Sequence, residues 1–373
     1  MPVPTVVPYR QRVKNGPRSL PGADKRIVAS TGNRGAPGVK GALSTMAKKG
    51  TILVGTIGQG VMMSPDEGQS WTRASVRQGM HSDCIVKALL ADAGNPGVVY
   101  AGTDVGLYRS DNGGAGWRRL DTPMSGSMVW SMTIDPVDPS VMFAGVGTPS
   151  KPGIYRSSDG GKSWKQLPVE IAAECPNVGI PRPTGIAVDP TDHRHVWVGL
   201  EVDGVRHSAD GGETWTRVNG QIPNPDVHNI LVVAGPPKAV FTVVNDDVWR
   251  STDDGKTWQA ARAREVFPWH YPRGIAVKPD DPKTVFVTLG DSTPGRVGTI
   301  MRSRDAGATW HSLGLPVQPN SAVWTVSVPV SAPEMVFAAS RYGYLYRSDD
   351  GGDSWRKLWR EFGEVSSILW VPQ

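Results

Sequence analysis

The chain has 373 residues, 39% of them apolar, with 44 glycines and 32 prolines. That composition is turn-rich but too apolar for a disordered or collagen-like chain, and no run approaches the ~20 apolar residues of a membrane helix. The net charge of +5 is unevenly spread: residues 1–49 carry +9 and the remainder −4, so the body of the chain does not look like a nucleic-acid clamp.

Residues 1–46 are rich in Pro, Gly and basic side chains, with no sustained period of 2 or 3.6. The composition predicts disorder. Two readings stand for this segment: a basic arm for nucleic acid or an acidic surface, or a non-native upstream extension preceding a natural start at Met46. From residue 47 the character changes. "TILVGT" at 51–56 reads as a strand, and strand-and-turn patterning continues to residue 373.

A ten-residue phrase then recurs seven times, ending at Trp71, Trp117, Trp164, Trp215, Trp258, Trp310 and Trp355. The consensus is Ser-x-Asp-x-Gly-x-[Ser/Thr]-Trp, and the tryptophans are 46, 47, 51, 43, 52 and 45 residues apart. Such a period is the sign of a repeat architecture. Residues 128–167 show the unit: "VWSMTID", the turn "PVDPS", "VMFAGV", "GIYRS", the Asp-containing loop, and a short "SWKQL". Four short strands joined by Gly, Pro and Asp turns, repeated seven times, predict a seven-bladed β-propeller over residues 47–373. "TILVGT" matches the second strand of other units, and the terminal "SSILWVPQ" matches a first strand. The C-terminal strand is therefore expected to complete the first blade and close the ring, leaving no open edge at the seam.

The repeated phrase resembles the Asp box, or bacterial neuraminidase repeat, of sialidases, sortilin-type receptors, xyloglucanases and photosystem assembly factors. Its Asp can accept bonds from loop amides, its Gly supplies a positive φ, and its Trp buries a large apolar surface. The second repeat departs, with Asn112 for Asp and Gly116 before the Trp. Each box has one fixed carboxylate and lacks the clustered oxygens of a calcium loop, so the motif speaks for fold rather than function.

In the families it resembles, ligands bind around the channel on the face opposite the boxes. The repeats place Lys87, Trp130, Thr184, Asn229, Arg273, Trp324 and Ser367 at the start of each first strand. Near them fall His81, Arg182, His228, His270 and Tyr271, and the loops after the second strands add Asp104, Glu201, Asn245 and Arg341. Lys87, Trp130, Arg182, Asn229, Asn245, Arg273, Trp324 and Arg341 are the expected substrate contacts, with arginines forming forks to a carboxylate and tryptophans stacking on a sugar ring. His81, His228, His270, Tyr271, Glu201 and Asp104 are the candidates for acid, base or nucleophile. The three histidines with Glu201 would also suit a divalent metal at the channel mouth.

A hydrolase or lyase acting on a polar or anionic, sugar-like small molecule or glycan is the leading expectation. The sialidase Phe/Tyr-Arg-Ile-Pro signature is absent, sialidases are six-bladed, and xyloglucanases use two propellers. The alternative is a non-catalytic scaffold for protein partners, as in the assembly factors. Cys84 and Cys175 have no metal or disulfide spacing, and with no secretory pattern a cytoplasmic setting is expected. The oligomeric state is left open.

Overall fold

The structure, a computed structural model, describes residues 48–373 other than Asn177 and Pro236. The basic Pro/Gly-rich segment lies outside the described residues. Among those described are seven four-stranded antiparallel sheets and one four-residue helix, Ala263–Val266.

Six sheets are consecutive in sequence. Their innermost strands are Val86–Ala91, Val129–Ile134, Pro183–Val188, Val227–Val233, Tyr271–Lys278 and Val323–Ser327, in blades 2 to 7. Blade 1 combines both ends: Val365–Pro372 is its inner strand, followed by Gly50–Thr56, Val61–Ser64 and Thr72–Arg73. The seam runs from Gly50 opposite Pro372 to Thr56 opposite Val365, and the Gln373 amide donates to the Lys49 carbonyl at 3.1 Å. The ring closes as the repeat pattern predicts.

Second strands such as Val196–Leu200 and Val336–Ser340 are buried on both faces, because each sheet packs between two others. This explains their unbroken apolar runs. The fourth strands are short, two residues in six blades, and mostly exposed. Such brief outer edges resist pairing with another chain. Cys84 and Cys175 are both free and buried.

The Asp boxes join third and fourth strands through one hydrogen-bond scheme. In the fourth blade Asp210 Oδ1 accepts from the Thr214 amide at 2.9 Å, its Oδ2 from the Thr214 hydroxyl at 2.6 Å, and Ser208 Oγ donates to it at 2.8 Å. Trp215 Nε1 then donates to the Gly212 carbonyl at 2.9 Å. Burdened with several donors, the box carboxylates are held well below their ordinary range, to about 2 at Asp66, Asp159 and Asp253. The deviant second box keeps the amide bond, Gly116 N to Asn112 Oδ1 at 2.7 Å. Asn offers a single acceptor oxygen, and Gly116 has no hydroxyl to place on a second, so the two departures compensate each other.

Candidate functional site

Every inner strand carries a β-bulge where it starts. The register with the second strand slips between Val86 and Ala88, Val129 and Ser131, Pro183 and Gly185, Val227 and Asn229, and Val323 and Thr325. Blade 6 slips between Pro272 and Ile275, and blade 1 opposite Gly55 and Thr56. A bulged residue leaves the ladder and its side chain is re-aimed. The residues released here are Lys87, Trp130, Thr184, His228, Arg273 with Gly274, Trp324 and Ser366. All of them line one cavity of about 590 Å³.

The seven positions expected from repeat alignment, including Asn229 and Ser367, lie on that wall. So do Arg182, Glu201, His228, Tyr271 and Arg341. His81, Asp104, Asn245 and His270 do not. His81 and His270 are exposed on the approach to their strands. The Asp104 carboxylate accepts from the Ile85 amide at 3.0 Å, which makes it a brace between loop and strand. Asn245 accepts from Asn224 at 2.8 Å. Among the described residues no three His, Cys, Asp or Glu side chains gather as a metal would require, so the three histidines do not converge.

The cavity wall holds two cationic clusters, each built on an indole. Lys87 Nζ lies 4.3 Å and the Arg182 guanidinium 5.0 Å from the centre of the Trp130 ring. Arg273 and Arg341 lie 3.9 and 4.5 Å from that of Trp324. Trp130 is itself fixed by a 2.9 Å bond from Nε1 to the Thr148 carbonyl. Cation–π attraction holds these charges against the wall. The tryptophans thus hold cations against the funnel wall.

Arg182 is ion-paired with Glu201, and the Glu201 amide donates to the Arg182 carbonyl at 2.9 Å. Arg341 is ion-paired with Glu364, a residue not singled out from the sequence. Arg273 Nη1 donates to the Tyr271 hydroxyl at 3.4 Å. The Lys87 amine is pushed down to about 8, by burial first and then by Arg341 and Arg182. On the wall, His228 is 5% exposed and its Nδ1 donates to the Pro272 carbonyl at 2.8 Å. Burial, with Arg273 nearby, keeps its ring well below the ordinary histidine range and so neutral. His228 Nε2 faces Asp226 at 3.8 Å. Burial and the Glu201 charge raise the Asp226 carboxyl, and Asp226 Oδ1 is buried without a partner.

Fold and repeat define a seven-bladed Asp-box β-propeller with a cation-lined funnel. The BNR-Asp box repeat family matches residues 154–167, and the family described as "Sortilin, neurotensin receptor 3" matches residues 246–370. A xyloglucanase of Hypocrea jecorina (strain QM6a) is 26% identical over 317 residues, covering 70% of this chain and 37% of the relative. A xyloglucanase of Paenibacillus sp is 24% identical over 372 residues, covering 83% and 35%. The sequence likeness is to glycoside hydrolases, and the chain spans little more than a third of the length of these relatives. Among solved structures, the GH74 xyloglucanase from Xanthomonas campestris aligns with a TM-score of 0.61 at 18% identity, over 82% of this chain and 51% of that one. YCF48 bound to D1 peptide aligns with a TM-score of 0.53 at 17% identity, over 77% and 91%. At these identities the structural likeness is one of fold.

Proposed function

We propose that this propeller binds an anionic saccharide in its funnel and acts on it as a glycosidase-type enzyme. The observation that carries the reading is the charge on the cavity wall: Lys87, Arg182, Arg273 and Arg341 line it with a single carboxylate, Glu201. A neutral sugar leaves Lys87 and Arg273, the two without an ion-paired carboxylate, with no counter-charge. A carboxylated or sulfated sugar meets them with charge-assisted bonds, bidentate at arginine. Sequence likeness to xyloglucanases supports the glycosidase half of the reading.

Hydrolysis of a glycosidic bond uses two carboxyl groups in opposite protonation states. Glu201, ion-paired to Arg182, takes the part of base or nucleophile. Asp226, near enough for the Glu201 charge to raise its carboxyl though not itself on the cavity wall, is the candidate acid. A second route is elimination, favoured by the Tyr271 hydroxyl beside Arg273: with arginine neutralising a uronate carboxylate, the proton on the adjacent carbon passes to the neutral His228, the bond from the next carbon to the glycosidic oxygen breaks, and Tyr271 protonates that leaving oxygen. The scaffold alternative draws on fold likeness to YCF48.

The test is to incubate the full chain with acidic and neutral oligosaccharides and weigh the products. Hydrolysis gives fragments that sum to the substrate plus one water, and elimination gives fragments that sum to the substrate, one of them unsaturated. Glu201→Gln and Asp226→Asn abolish the first, Tyr271→Phe the second. Binding or cleavage of neutral xyloglucan fragments in preference to every acidic sugar overturns the proposal.

A further inference from the structure

Resting on the anionic-saccharide reading above, we infer that the funnel is built for a ligand with two separate anionic groups, one anchored by Lys87 and the other by Arg273. The four cations of the wall fall into two pairs, one on Trp130 and one on Trp324. In each pair one member has a carboxylate partner and the other does not. Arg182 has Glu201 and Arg341 has Glu364. Among the described residues, Lys87 and Arg273 have no carboxylate within ion-pairing distance. Arg273 reaches only the Tyr271 hydroxyl, and Asp226 acts on it at longer range.

The unpaired cations stand on different blades, close enough for Arg273 to act on the Lys87 charge. Lys87 belongs to blade 2 and Arg273 to blade 6, three blade steps apart in a ring of seven. Each is drawn back onto its own indole, Lys87 at 4.3 Å and Arg273 at 3.9 Å from the ring centre. Half-buried cations with no ion-paired carboxylate of their own are unfavourable. The amine of Lys87 registers this: burial, Arg341, Arg182 and Arg273 work against its charge, and Glu364 works in its favour. One anion held against one wall relieves one of the two. Two anions spaced across the funnel relieve both, and the arginine–carboxylate pairs already present keep the remaining cations from competing. Lys87 and Arg273 are thus the specificity-determining residues, and the ligand is a sugar dicarboxylate, or two linked acidic sugars.

The experiment is calorimetric titration of the full chain with D-glucose, D-glucuronate and D-glucarate, which share a six-carbon skeleton and carry none, one and two carboxylates. Glucose 6-phosphate places two charges on one group and completes the set. Glucarate is expected to bind about tenfold tighter than glucuronate, the effect of one added charge-assisted contact. Lys87→Gln and Arg273→Gln, each checked for an unchanged thermal transition, bring glucarate to within about threefold of glucuronate. Equal binding of glucarate and glucuronate, with both above glucose, overturns the two-anchor inference and leaves the anionic reading standing. Tighter binding of glucose 6-phosphate than of glucarate also overturns it, in favour of a single doubly charged group. Glucose binding as well as the acids, or no acid binding at all, overturns both.

Discussion

Ring closure puts a heavy share of stability on one side chain. Trp370 is 3% exposed and sits opposite Ile52 across the seam, in a cluster with Val54, Met62, Phe337 and Ile368. It lies so close over Gly50 that a Cβ there would come within 2.1 Å of the indole. Replacing it with alanine removes the burial of a full indole and leaves a cavity the sheet cannot collapse into, because backbone lies on one side and the next blade on the other. Such truncations cost about 3–5 kcal/mol, against a total of ~5–15 kcal/mol for a typical domain. Trp359, eleven residues earlier, is 79% exposed, and Trp359→Ala should stay within about 0.5 kcal/mol of wild type. Urea unfolding followed by far-ultraviolet circular dichroism reads both without relying on tryptophan emission. A Trp370→Ala loss below about 1 kcal/mol would refute the reasoning that the terminal strand locks the ring.

Stability should fall as pH drops from about 6.5 towards 4. His207 is held down to about 4 by burial and by His195, whose Nδ1 lies 2.9 Å from His207 Nε2, while Asp254 and Asp189 oppose and Lys238 adds to the shift. A depressed histidine binds its proton in the unfolded chain first, so folding loses ground through that window. Thermal midpoints of His207→Gln across pH 4–7 should show a shallower slope than wild type. In the sixth box Gly307→Ala should destabilise by more than the ~1–2 kcal/mol of a left-handed alanine, since φ is +87° and the new Cβ meets Phe241 at 2.6 Å; denaturant midpoints measure it. Cys84, its thiol pushed up to about 12 by burial and then Asp104, and the buried Cys175 should ignore a thiol reagent until the chain unfolds, when both react.

Much of this was legible in the sequence because a propeller repeats its constraints. Each box needs the same turn, so the seven tryptophans fixed blade number and period. The funnel residues were findable for the opposite reason: at equivalent positions a structural role would repeat one residue type, and Lys87, Trp130, Thr184, Arg273 and Trp324 do not. The bulge limits how finely this works. Strand alternation breaks where the bulge falls, so alignment singled out Asn229 and Ser367 where the residues leaving the ladder are His228 and Ser366. His81, His270, Asp104 and Asn245 lie in loops, where no period sets a side chain's direction, and none of them lines the cavity; Asp104 and Asn245 are held by local hydrogen bonds instead. Glu364 went unremarked because its partner Arg341 is 23 residues away, although its place just before an inner strand matches that of Arg182.

The indoles beneath the cations make the funnel its own reporter. Trp130 and Trp324 are two of 14 tryptophans, and each emits under the field of two positive charges placed over its ring. An anion that neutralises Lys87 or draws Arg273 off the ring changes that field. Anion binding at the proposed site is therefore expected to change the colour and intensity of the protein's own emission, with no label added.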